Sequence, residues 1–192
     1  MKELTNVLLA VVILTIGFNY LYKNAVFIHV KSNVDGKLYL VRKFKDKQQA
    51  ADILAKLSDR LSRLVEYVYM NHNDREGVDQ LKKNFNSNNL IENISGGQYT
   101  AYSVNKGEEL AICLRNAKTN DFIDINLVIF VSIHELAHVM TDEVGHTPKF
   151  WDNMRFLLEK GEKINIYKPE DYSKNPQIYC GQTINSTPYK FN

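Results

Sequence analysis

Apolar positions fall into three patterns along the chain: one continuous run, several strand-like alternations and several stretches at helical spacing. The continuous run comes first. Leu4 to Tyr22 reads LTNVLLAVVILTIGFNYLY, without a charge and with an unbroken apolar core from Val7 to Leu14. As a helix it would cover about 28 Å, close to one hydrocarbon core. It leaves on bulky Phe18-Asn19-Tyr20-Leu21-Tyr22 and not on the small residues of a signal-peptide cleavage site. The pattern predicts an uncleaved transmembrane anchor over residues 1–24, a single-pass membrane protein, and one folded domain over 25–192. Lys23, Lys31, Lys37, Arg42 and Lys43 favour a cytoplasmic domain, whereas the sequons Asn93-Ile94-Ser95 and Asn185-Ser186-Thr187 favour the other side. The orientation stays open.

Beyond the anchor, Ala25 to Ser32 and Lys37 to Arg42 are strand-like and flank Asn33-Val34-Asp35-Gly36, which predicts a hairpin. Ile53, Leu54, Leu57, Leu61, Leu64, Val65 and Val68 then recur at helical spacing, predicting an amphipathic helix from about Lys47 to Met70 with a capping box begun by Asp46. A shorter helix is expected over Arg75 to Phe85, and the Asn-rich stretch Asn84 to Asn93, closed by Gly96-Gly97, reads as a loop. Tyr99 to Val104 and Glu109 to Arg115 read as strands about the turn Asn105-Lys106-Gly107. Ile125 to Met140 is apolar almost all round, the mark of a buried helix, with Asp124 as N-cap. Thr147-Pro148 opens a last amphipathic helix ending near Gly161, and a loop-rich tail follows from about 163.

Composition adds limits to this outline. The 192 residues are 44% apolar and 24% charged, and 24 Lys and Arg stand against 22 Asp and Glu. That balance carries no strong nucleic-acid signal. Two cysteines, Cys113 and Cys180, exclude a multi-cysteine zinc ribbon. Cys113 reads as a small buried apolar residue or as the partner of Cys180, and pairing requires Cα atoms within about 7 Å. Lys43, Lys45 and Lys47 read as a solvated patch.

The candidate chemistry lies on the buried helix. His134-Glu135-Leu136-Ala137-His138 is an HExxH pattern, and residues four apart share a helix face, so two imidazoles can reach one Zn2+ while Glu135 reaches a water beside it. His146 follows eight positions later, past Gly145, where the chain can reverse and return a third nitrogen. Glu143, Glu159 and Glu162 are the carboxylate substitutes for that third ligand. Three protein ligands leave a position open, as in catalytic sites. Glu135 is then a general base for amide hydrolysis. His29 and His72 lie apart from this cluster and read as structural or solvated.

These residues, with His146-Thr147-Pro148-Lys149-Phe150-Trp151 downstream, resemble the WLM and SprT-like zinc metallopeptidases. The metzincin pattern fits less well, since Thr141 stands where it needs glycine. Val34 to Arg42, Asp171-Tyr172-Ser173 and Tyr179-Cys180-Gly181 are more loosely similar to predicted metallopeptidases of large DNA viruses. The resemblance implies an α+β, zincin-like domain with a protein or peptide substrate, and an edge strand above the metal helix for which Glu109 to Arg115 is the candidate. The chain departs from cellular repair proteases in its expected anchor and in lacking a cysteine-rich DNA-binding module. The rival expectation is a structural membrane or virion protein that keeps the fold as an assembly module.

Overall fold

The computed structural model describes residues 2–94, 101–104 and 107–191. A helix, α1 (Lys2–Val26), precedes a hairpin of β1 (Phe27–Lys31) and β2 (Leu38–Arg42). Helices α2 (Lys47–His72) and α3 (Val78–Asn84) then lead to the short strand β3 (Leu90–Glu92) and the pair β4 (Ala101–Val104) and β5 (Glu109–Ile112). Helices α4 (Ile125–Met140) and α5 (Pro148–Lys163) follow, and a small hairpin, β6 (Gln177–Tyr179) and β7 (Gln182–Ile184), lies in the tail. The first five strands form one mixed sheet in the order β1-β2-β3-β5-β4. β2, β3 and β5 run parallel, while β1 and β4 are antiparallel edge strands. The crossover from β2 to β3 runs through α2, whose apolar stripe of Leu54, Leu57, Leu61, Leu64, Val65 and Val68 is buried in the core.

The elements agree with the α+β pattern, but the expected anchor does not hold. Among the described residues no helix is long and apolar enough to cross a membrane. The continuous apolar core of α1 is only Val7 to Leu14, bounded by Asn6 and Thr15. Eight residues of helix cover about 12 Å of a hydrocarbon core about 30 Å thick. The single-pass assignment, and the membrane contact through α1 that it implied, are withdrawn.

Smaller differences have local causes. The stretch expected as a loop over Asn84 to Asn93 contains β3, because Leu90 and Glu92 are buried between β2 and β5 despite the asparagines around them. The candidate edge strand Glu109 to Arg115 ends at Ile112 and is interior; β4 holds the edge instead. Asp46 makes no side-chain cap bond to α2, since its carboxylate faces Arg115. Gly161 lies inside α5, which continues to Lys163. Ser95 of the first sequon, Gly96-Gly97, Tyr99 and Asn105-Lys106 lie outside the described residues.

Candidate metal centre and its cleft

Helix α4 is held rigidly at both ends. Asp124 Oδ1 accepts from the N–H groups of Asn126 and Leu127, as an N-cap should. At the other end the Thr141 hydroxyl donates to the Ala137 carbonyl at 2.7 Å and accepts from Asn153 of α5 at 3.0 Å. Between these ends, twelve of the sixteen residues of α4 are buried; His134 and His138 are half-buried, on the face turned to a cavity.

The third histidine arrives from the loop between α4 and α5. Gly145 adopts φ of 86°, a left-handed conformation that reverses the chain. Thr147 then caps α5 by accepting from the Phe150 N–H, with Pro148 at the first helical position, so His146 sits immediately outside that helix. Lys149 ties the loop down through bonds to Asp142 at 2.8 Å and to Glu76 at 2.7 Å. The Lys149 ammonium lowers Asp142 below its ordinary range.

The three imidazoles converge, and their candidate ligand atoms all lie within 4.8 Å of one another. His134 Nε2 and His146 Nε2 are 3.1 Å apart. Tetrahedral zinc with Zn–N bonds of about 2.0–2.1 Å requires donor atoms about 3.3 Å apart, so this spacing fits the ion. Buried Phe150 supports all three rings, with centroids 4.3 to 4.9 Å away, and Trp151 stacks on His146. Burial, and then the neighbouring imidazoles, push His134 down to about 3. It therefore presents a neutral nitrogen, the form a metal requires. Glu135 is 6% exposed, and burial pushes its carboxyl up to about 7.

Around these groups lies a cavity of about 720 Å³. Ala101, Tyr102 and Ser103 of β4 line one side, Gln182 and Ile184 of β7 another, and Phe130, Val131 and Tyr179 are also in the lining. Glu143 and Val144 come from the loop that carries His146. Neither Glu159 nor Glu162 joins the histidines: the former pairs with Arg155 and the latter accepts from the Tyr189 hydroxyl. His72 packs edge-on against Tyr67 and Phe156, and His29 is exposed on β1.

What sequence reasoning missed is the tail hairpin. Cys180 and Gly181 take φ of 54° and 92°, the doubly positive turn that joins two-residue hairpins. The signal was present as a turn pair between Gln177-Ile178-Tyr179 and Gln182-Thr183-Ile184, but positive φ at cysteine is rare enough to hide it. Cys180 is bonded to Cys113, with Cα atoms 6.0 Å apart. The Cys113 N–H donates to the Tyr179 hydroxyl at 3.0 Å, so two links fasten the hairpin to the end of β5.

The WLM domain family matches residues 33–190. The chain is 40% identical over 160 residues to uncharacterized protein R325 of Acanthamoeba polyphaga mimivirus, covering 81% of each. It is 27% identical over 158 residues to uncharacterized protein 136R of Invertebrate iridescent virus 6, covering 78% of this chain and 85% of that one. Among solved structures, Wss1 from Saccharomyces cerevisiae shares the fold at a TM-score of 0.51 and 20% identity, over 65% of this chain and 87% of that one.

Proposed function

The chain belongs to the WLM domain family, and on that premise we propose that it is a zinc-dependent peptidase in which His134, His138 and His146 hold the metal and Glu135 is the general base. The observation that carries the proposal is the convergence of three imidazoles, within 4.8 Å, on the wall of a cleft bounded by an edge strand. The zinc, when bound, supplies a Lewis acid for the scissile carbonyl and lowers the pKa of water.

The chain's own residues do the rest. Strand β4, at the edge of the sheet among the described residues, is where an extended peptide would add as a further strand, carrying its peptide bond past His134. Glu135 accepts a proton from the attacking water and delivers it to the leaving amine. Its burial suits that exchange, since a carboxyl raised towards neutrality both takes and returns a proton at pH 7. Phe150 and Trp151 fix the imidazoles from behind, which limits the reorganisation needed on binding metal.

The test is zinc analysis of the purified full chain followed by cleavage of a broad peptide library, with chelated protein as control. Stoichiometric zinc and metal-dependent cleavage are expected. A chain that binds zinc and cleaves nothing in the library would sink the peptidase reading and favour a non-catalytic assembly module.

A further inference from the structure

We propose that the β6–β7 hairpin is the specificity wall of this cleft and that it selects extended peptides with a bulky apolar side chain beside the scissile bond. The inference rests on the reading of the cleft as a peptidase site.

One turn before His134 on the same face of α4 stand Phe130 and Val131, at i−4 and i−3. Both are almost fully buried, yet both line the cavity, so an occupant there would meet carbon and little water. Ile184 of β7 lines the same space, and Tyr179 of β6, itself wholly buried, completes it. No Lys or Arg lines the cavity among the described residues, and its acids, Glu135 and Glu143, belong to the catalytic helix and the His146 loop. A charged side chain placed among Phe130, Val131 and Ile184 would lose its water, and an acidic one would meet no Lys or Arg of the lining. A small one would leave the space unfilled. Each methylene in such a pocket discriminates by about 10-fold or more.

The hairpin is also placed in a way that suits a wall. It forms its own two-stranded sheet, separate from the main one. Two strands of three residues are too short to be stable alone. Its position is set by the Cys113–Cys180 bridge and by the bond from the Cys113 N–H to Tyr179, both anchored just after β5. The wall is therefore attached independently of the metal ligands, and altering it should change selection without changing metal binding.

The experiment uses the zinc-loaded full chain carrying Glu135→Gln, which separates binding from turnover. Blocked hexapeptides with Leu, Phe, Ala, Asp or Lys at one central position are titrated by fluorescence anisotropy. Leu and Phe peptides should bind at least about 10-fold more tightly than the Ala, Asp and Lys peptides. Adding Ile184→Asp should reduce that preference to less than about 3-fold at unchanged zinc content, and Ile184→Leu should keep it. Equal binding of all five peptides, no binding of any, or a preference untouched by Ile184→Asp would overturn the proposal. A wild-type chain that shows the binding preference but never cleaves would instead overturn the peptidase reading and leave this one standing.

Discussion

Among the described residues, the ionisable cluster beside the sheet and the one about α4 handle their charges in opposite ways. Beside the sheet, Arg115 is 1% exposed and Glu92 is 0% exposed. Arg115 donates to Glu92 at 2.7 Å and to Asp46 at 2.8 Å, while Phe44 and Phe122 cover the guanidinium. Burial pushes Glu92 up, and the Arg42 N–H and Arg115 pull against it. Burial would also lower Arg115, but its bonds to Asp46 and Glu92 raise it instead. On α4, burial first and then the neighbouring imidazoles of His138 and His146 lower His134, and burial raises Glu135. The first cluster supplies its own counter-charges; the second gathers three imidazole nitrogens that could hold a metal ion. That difference separates a structural network from a candidate metal site more sharply than burial does.

The comparison can be broken most directly at Glu135. If its carboxylate serves chemistry, Glu135→Gln should keep zinc stoichiometry and the fold while peptide cleavage falls by about two to four orders of magnitude. An active Glu135→Gln chain would end the proposed mechanism. The mirror-image change is Arg115→Met. It should leave the zinc content of the folded fraction unaltered and cost about 3–5 kcal/mol in urea denaturation, because Glu92 is left buried without its counter-ion. Adding Glu92→Gln should recover part of that loss. A loss below about 1 kcal/mol in the single variant would show that the two clusters are not different in kind.

The third prediction sharpens the contrast through the metal itself. Zinc at about 1,000 times its dissociation constant should stabilise the wild-type chain by about 4 kcal/mol, read as a raised melting temperature. His138→Ala should lose most of that gain, since two imidazoles and water form a poorer site. Arg115→Met should retain the full zinc-induced increment on its lower baseline. Equal zinc responses in wild type and His138→Ala would remove His138 from the ligand set.

How much of this was legible in the sequence depended on the range of the signal. Helix α4 with Asp124 as cap, α5 with Thr147-Pro148, and the hairpin about Gly36 are written in local spacing and capping, and the structure places them where those signals point. The histidines at i and i+4 were legible for the same reason. The third, His146, was reached only through the turn at Gly145. What was not legible depends on partners distant in sequence. Leu90–Glu92 becomes a strand because β2 and β5 flank it, and Tyr179 enters the cleft because Cys180 is tied to a residue 67 positions earlier. The anchor expectation fails for a different reason: Leu4 to Tyr22 carries no charge, but its unbroken apolar core, Val7 to Leu14, is less than half that length, and no helix of the described residues is long and apolar enough to cross a membrane.

The finest test of the comparison is the pH dependence of stability in the metal-free chain. Glu135 is raised from 4.5 to about 7, so between those values the folded chain holds a proton that the unfolded chain has released. Its contribution is favourable below pH 4.5 and is lost as pH rises towards 7. His134 is lowered from 6.5 to about 3, so the unfolded chain binds a proton that the folded chain refuses. Its contribution is present above pH 6.5 and is lost as pH falls. Between about pH 4.5 and 6.5 the two slopes have opposite signs and cancel. Glu135→Gln removes one of them. The chelated variant should therefore lose on the order of 2 kcal/mol more than chelated wild type between pH 6.5 and 5, at about 1.4 kcal/mol per pH unit for one proton. Urea denaturation of both proteins at the two pH values measures the difference, and ionisations common to both cancel in it. Parallel pH slopes would mean that Glu135 titrates as an exposed carboxyl does. The α4 cluster would then lack the uncompensated burial that sets it apart from Arg115, Glu92 and Asp46.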